Sequence, residues 1–458
     1  MKKLVAAAVT TFLFGCAQSP LPSVSRVEDS PDNVLFRDVS VFDGERMLRH
    51  QDVLVVGGTI EAVAVTGSVE VPPGAQEILG GERTLLPGLV DSHAHFFSAG
   101  EKDMPPPSPE EIGYAFLFAG VTTVLVAAGF EETMDLVRES EASDTIAPHV
   151  FFAGAGLTAP GGHPVPLLRA MLPWPVSSFA VRSVPTAGNA EEARAAVGTI
   201  AKMEPDFLKI LYDDLPPGSP HLSLEALQAA VDAAWELGLR PIAHATTPED
   251  ALASVDAGVS LLVHVPQRGV MGAEQVARLV ASNVPVVSTV RLISASHELA
   301  ERGPSRLEST MFDRRMLQPW LDEPAWYLSG FSEEIDERWA EVAEDTRTNF
   351  RTLLAAGVPI FVGTDSGVHG VFPGASLHHE IKTLVELGMP ALDALKAVTS
   401  APATFLEPNG TFGRIASGQR ADLLLVHGDP SADIDALSEI DEVFLEGVRL
   451  RRTGVDKN

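Results

Sequence analysis

An α/β chain, made of a (β/α)8 TIM barrel and a small β-sandwich built from both chain ends, is the fold class this sequence predicts, on three observations. Through the middle of the chain, strand-like apolar runs alternate with helical stretches about eight times, and repeated strand–helix units of that number imply a barrel. Short β-rich pieces with period-two alternation and glycine turns bracket that region on both sides. Neither piece is long enough to make a core alone, so the two join most economically in one sandwich. Finally, polar residues gather at the C-terminal ends of the predicted strands, where such a barrel carries its site.

The 458 residues suffice for one large domain and a smaller one, and a hydrophobic share of 45% supports an ordered core. The net charge of −29 argues against a nucleic-acid partner, which would need a basic face. Residues 1–16 read as a secretory signal. Met1-Lys2-Lys3 is basic, and Leu4 to Gly15 is apolar apart from Thr10 and Thr11, which is too short to span a bilayer. The segment ends in Leu13-Phe14-Gly15-Cys16, which resembles the lipobox of bacterial lipoproteins. Cys16 is the only cysteine, and a polar, proline-containing tether (17–34) follows it. The resemblance implies an exported, periplasmic protein whose only membrane contact is a lipid on Cys16. Ala17 after the cysteine resembles the pattern of outer-membrane sorting. An ordinary cleaved signal with an incidental cysteine is the alternative. In either case no disulfide forms within the chain, and no cysteine serves as nucleophile or metal ligand. The oligomeric state stays open.

The sandwich is assigned to 35–85 and 408–458. It starts with "NVLFRDVSVFDG" and "QDVLVVGGTIEAVAV" and ends with "GRIASGQRADLLLVHGDP" and "EIDEVFLEGVRLRRTG". The barrel takes 86–407. Its predicted strands are 89–96, 121–127, 149–156, 207–212, 241–245, 261–265, 285–290 and 359–365. Helical stretches such as 223–238, 249–258 and 273–282 sit between most of them. Two long excursions are expected: a Pro/Gly-rich loop from Leu157 to Ala187, and a segment from Ser294 to about Arg338 that carries Trp320, Trp326 and Tyr327.

The first strand holds His93 and His95 one residue apart, so both imidazoles project to one face, with Asp91 on the same side. Burying them requires either a hydrogen-bonded cluster or a metal. Further candidates stand at later strands: Lys209 in "DFLKILYDD", His244, His264, and Asp365 in "FVGTDSG". Four histidines and an aspartate suit a borderline divalent metal such as zinc. An ammonium only donates, so a lysine is wrong for a metal. A desolvated lysine loses its proton readily, however, and the free amine can add CO2 to become a carbamate. That anion could bridge two metal ions roughly 3.5–4 Å apart. Taken alone, Lys209 could instead pair with Asp206 or Asp213.

With these motifs the chain resembles the metal-dependent amidohydrolase superfamily, over nearly everything after residue 34. The branch is that of imidazolonepropionase-like enzymes and prolidase-type dipeptidases. The resemblance rests on "PGLVDSHAHF", "AGVTTV", "DFLKI", "IAHA", "DAGVSLLVHV", "VGTDS", "ALKAVTSAPATFL" and "GRIASGQRADLLLV", in that order. It implies that His93, His95 and Asp365 hold a first metal, that His244 and His264 hold a second, and that carboxylated Lys209 bridges them. The family's "SIEHG" is "LLVHV" here, which keeps the ligand. Its "GGHG" is "GGHP" (161–164), which puts the role of His163 in question.

These parts support hydrolysis of an amide-type C–N bond in a dipeptide, N-acyl amino acid or cyclic amide, by a metal-activated hydroxide. Asp365 is the expected proton shuttle, with His163 or Tyr212 polarising the scissile carbonyl. The same parts would serve a lactone, ester or organophosphate, and a non-catalytic binding lipoprotein is the remaining alternative. His369 is a candidate pocket residue, whereas His378 and His379 read as structural.

Overall fold

The computed structural model of the protein describes residues 24–27, 32–96, 108–129, 134–135, 138, 146–171, 174, 176–295, 298, 307, 333–368 and 370–453. Cys16, most of the 17–34 tether, Trp320, Trp326, Tyr327 and His369 lie outside them.

Both ends of the chain meet in one nine-stranded sheet. Its order is Val24–Arg26, Val448–Arg452, Ile440–Leu445, Leu423–His427, Arg83–Pro87, Asn33–Phe42, Met47–Val56 and Thr59–Val65, with Gln76–Leu79 also paired to Asn33–Phe42. Phe36 and Phe444 sit on strands with two others between them, yet their rings meet edge to face at 5.1 Å. In a flat sheet each step is about 4.8 Å, so this contact means that the sheet folds over its own core. Val34, Val39, Val53, Leu85, Leu423 and Leu425 fill that core.

The chain between these ends is α/β with parallel strands. A three-stranded sheet holds β1 (Leu89–Ala94), β2 (Val121–Val126) and β3 (His149–Phe152). A five-stranded sheet holds β4 (Phe207–Leu211), β5 (Arg240–His244), β6 (Leu261–Leu262), β7 (Val286–Val287) and β8 (Ile360–Phe361). Hydrogen bonds cross the two gaps between these sheets. Lys209 N–H donates to the Ala153 carbonyl (3.2 Å), and Leu157 N–H donates to that of Lys209 (2.9 Å). On the other side Ser92 N–H donates to Val362 (3.0 Å), and Asp365 N–H to His93 (2.7 Å). Asp91, expected beside the histidines, fastens this second seam. One of its oxygens accepts Thr364 N–H (3.1 Å) and the other the Thr364 hydroxyl (2.7 Å).

Helices start where the sequence supplies caps. Ser108 and Glu111 form a reciprocal box ahead of Pro109–Phe118, and Ser223 and Thr247 cap Leu224–Glu236 and Pro248–Ala257. The excursion from 157 to 187 is more ordered than its Pro/Gly content suggests. It contains helices Val165–Met171 and Val176–Ser183. Its ends are tied where Thr158 N–H donates to Pro185 and Ala187 N–H donates to Thr158. This closure fixes the turn that carries His163. Strands β6 to β8 are shorter than their apolar runs. Beyond them the chain bends to present side chains, and the Val263 carbonyl faces a histidine ring.

Candidate metal centre

His93 and His95 leave β1 on one face, as period-two alternation requires, and their rings meet at 5.4 Å. Each Nδ1 faces a backbone carbonyl at 2.9 Å, His93 that of Val263 and His95 that of Ala128. A carbonyl only accepts, so both Nδ1 atoms carry the proton and both Nε2 atoms present lone pairs. Those two Nε2 atoms lie 3.2 and 2.8 Å from one atom, Asp365 Oδ1. Ion pairs there would need imidazolium rings, but burial pushes His93 down to about 4. Asp365 Oδ1 accordingly receives no hydrogen bond. His93 Nε2, kept unprotonated by burial, and Asp365 Oδ1, which accepts no hydrogen bond, thus face each other with His95 Nε2 alongside, an arrangement that a cation satisfies and that is costly otherwise. The donor set fits a divalent metal.

Strain accompanies this geometry. Asp365 adopts φ +61° and Thr289 φ +41°. The second is a β-branched residue in the left-handed region, and each such conformation costs on the order of 1–3 kcal/mol. Thr289 Oγ1 lies 2.8 Å from His264 Nδ1. Its loop is held by the buried Glu380, which accepts Val290 N–H (2.7 Å) and Arg291 N–H (3.0 Å). With Nδ1 engaged, His264 keeps Nε2, which is buried and has no hydrogen-bond partner. The His264 ring stands 4.7 Å from that of His93 and 4.5 Å from that of His244. Burial, then the neighbouring His244 and His93, hold its pKa well below the usual imidazole value.

Lys209 points into the same space and is 1% exposed. Burial brings its ammonium down to about 7, against the pull of Asp365 and Asp213. The structure therefore brings together all six residues expected as ligands. It also adds Asp213. One Asp213 oxygen lies 2.9 Å from His244 Nε2 and the other 3.1 Å from His163 Nδ1. Burial works against its ionisation, but His244 and His163 together outweigh that and keep its pKa far below the carboxylate range. His163 thus joins the cluster, with its ring 4.8 Å from that of His244. Tyr212 turns the other way, edge-on against His221 at 4.2 Å. His378 is structural: its Nε2 donates to the Ala119 carbonyl at 2.8 Å.

Asp213 was legible in principle. Alternation from Lys209 puts residue 213 on the lysine's face and Tyr212 on the opposite one. The doublet Asp213-Asp214 hides it, because its second member turns elsewhere, to Arg268 and to the Gly218 N–H.

This arrangement has parallels. An uncharacterized protein of Mycobacterium tuberculosis is 25% identical over 402 residues, which cover 85% of this chain and 91% of that protein. A solved Xaa-Pro dipeptidase with methionine bound in its active site superposes with a TM-score of 0.71 at 23% identity, covering 91% of this chain and 99% of its own. The A. niger ochratoxinase gives 0.70 at 20% identity, with 92% and 96% covered. At such identities these likenesses speak for the fold. A sequence model described as the Amidohydrolase family matches residues 84–450, from the strand preceding the His93–His95 pair to the last strand of the composite sheet. Metal-suited donors at the strand ends and a match over that whole span agree, and the chain belongs to the amidohydrolase family.

Proposed function

We propose that this protein hydrolyses an amide-type C–N bond, in a dipeptide, an N-acyl amino acid or a cyclic amide, with two divalent metal ions, zinc foremost, at the mouth of a (β/α)8 barrel. Eight parallel strands, with hydrogen bonds across both gaps between their sheets, support the barrel. The observation that carries the chemistry is the meeting of His93 Nε2 and His95 Nε2 at one atom, Asp365 Oδ1, which accepts no hydrogen bond. These three would hold one ion. His244 and His264 would hold the other, with Lys209 reaching both as a carbamate. When bound, such ions supply Lewis acidity and a water acidic enough to ionise near neutral pH.

The protein's own groups do the rest. The Lys209 amine, freed by burial, bonds the carbon of CO2 and loses one proton, giving an anion with two oxygens. The Asp365 carboxylate accepts a proton from the attacking water and returns it to the leaving nitrogen. His163, which lies in the cluster, is the candidate for contact with the scissile carbonyl; Tyr212, turned toward His221, is not. Elemental analysis of active protein is expected to find about two divalent ions per chain, the usual content of such paired sites. Chelation should abolish turnover. One ion or fewer in fully active protein would reject the paired site. A panel of dipeptides, N-acyl amino acids, lactones and phosphotriesters tests the bond type, and preferential turnover of the oxygen esters would overturn the amide reading.

We also propose a lipid anchor at Cys16, supported by the signal-like residues before it and the polar tether after it. Among the described residues no helix is long and apolar enough to cross a membrane. Cys16→Ser should move the protein from the membrane fraction to the soluble fraction. Wild-type protein found wholly soluble, with a mature N-terminus elsewhere, would reject the anchor.

A further inference from the structure

Among the described residues two groups of three buried side chains stand at this site, each a pair of histidines on an aspartate: His93, His95 and Asp365, and His163, His244 and Asp213. By composition both could hold a metal, but their geometry separates them. In the first group both rings face one oxygen, and that oxygen accepts no hydrogen bond. In the second, each ring faces its own oxygen, His163 Nδ1 on Oδ1 and His244 Nε2 on Oδ2, at hydrogen-bond distances of 3.1 and 2.9 Å. An ionised carboxylate only accepts, so both ring nitrogens must carry the proton.

We propose that Asp213 is not a ligand but a positioning residue, one carboxylate that sets the tautomers of two histidines at once. Holding the proton on Nε2 of His244 leaves Nδ1 as its only lone pair, the atom with which it can bind the second metal. Holding the proton on Nδ1 of His163 leaves Nε2 as the atom it can offer to a substrate. The place of the residue supports this. Asp213 is 1% exposed and lies on the Lys209 face of the chain just past β4, between the strand that carries the lysine and the strand that carries His244. A carboxylate behind a ligating imidazole fixes its tautomer and raises its basicity, and losing such a partner typically costs about 10–100-fold in metal affinity. This inference rests on the two-metal reading, and the test keeps their failures apart.

The test is competition for Zn²⁺ between a chromophoric chelator and full-length protein, for wild type, Asp213→Asn, Asp213→Ala and His163→Ala. It is joined by ¹⁵N NMR of the histidine rings in metal-free wild type. Wild type should bind two equivalents. In both Asp213 variants one equivalent should weaken by about 10–100-fold, while the equivalent held by His93, His95 and Asp365 keeps its affinity. Asn retains an acceptor for only one ring, so Asp213→Asn should fall between wild type and Asp213→Ala. His163→Ala should keep both equivalents. The NMR spectrum should place the His244 proton on Nε2, a readout that needs no variant to fold. Loss of one equivalent in His163→Ala would make the second group a metal site and overturn the proposal. So would a His244 proton on Nδ1, or unchanged affinities in both Asp213 variants. Wild type that binds a single ion would instead reject the two-metal reading.

Discussion

Asp365→Asn is expected to keep most of its metal while turnover falls by roughly 10²-fold or more, the share that general-base catalysis contributes. Asparagine is the informative replacement for two reasons. Its side-chain oxygen can still be a ligand beside His93 and His95, but it has no basic site. It also tolerates the left-handed backbone at φ +61°, where alanine would add strain of about 1 kcal/mol or more. The variant therefore removes the proton acceptor and little else. The acidic limb of the pH–rate profile should flatten, because that limb reports protonation of the coupled water and carboxylate. Metal content and turnover measured on the same preparation decide the matter. Equal loss of both would make Asp365 only a ligand. Unchanged turnover in metal-replete protein would move the base to a histidine, with His163 next in line.

Lys209→Ala is expected to lose several kcal/mol of charge stabilisation, about 10³-fold in rate. Short carboxylic acids such as acetate or propionate should restore part of it, since they would stand in for the proposed carbamate with the same two oxygens. The wild-type residue is buried among the candidate ligands, and burial brings its ammonium down to about 7, which favours the uncharged amine that CO2 uptake needs. Wild-type metal content and rate in Lys209→Ala would remove the bridge altogether. A second measurement isolates the lysine from catalysis. In metal-free, CO2-free protein the folded chain releases this proton near 7, whereas an unfolded one holds it to 10.5. The unfolded state binds more protons in that window, so this residue makes stability rise with pH between about 7 and 10.5. Lys209→Met should abolish that part of the slope, and an identical slope in the variant would place the amine outside the buried site.

How much of this could be read from the sequence depended on periodicity. His93 and His95 were legible because two polar residues at i and i+2 on an apolar strand have few explanations. His244, His264 and Asp365 were legible because each closes an apolar run. The composite sheet was legible from alternation at both ends. What escaped was whatever depends on where a loop returns. Thr289 reaches His264 only through a left-handed turn pinned by Glu380, which lies 90 positions beyond Val290 along the chain. His163 was named as a candidate, but its place in the cluster depends on a closure made by backbone hydrogen bonds that no residue type announces. Asp91 was placed on the correct face, but its role in joining β1 to the segment after β8 depends on Thr364, which only folding brings near.

The composite sheet also sets a schedule for the growing chain. The Thr84 hydroxyl donates to the Gly428 carbonyl across 344 positions of sequence, and Leu423–His427 lies between Arg83–Pro87 and Ile440–Leu445. A ribosome that has delivered the whole α/β body still withholds strands that its first sheet requires. Until those strands emerge, Arg83–Pro87 lacks a neighbour on one side and Val24–Arg26 has no partner at all, which leaves open edges and a slow, non-local search. In the finished protein Val24 and Arg452 are register partners, so the described chain enters and leaves the sheet side by side. A short linker could join them, with new ends opened at the exposed turn around Leu237. Such a permuted chain would complete the composite sheet from consecutive segments in mid-synthesis, and its refolding should be faster than that of the native order.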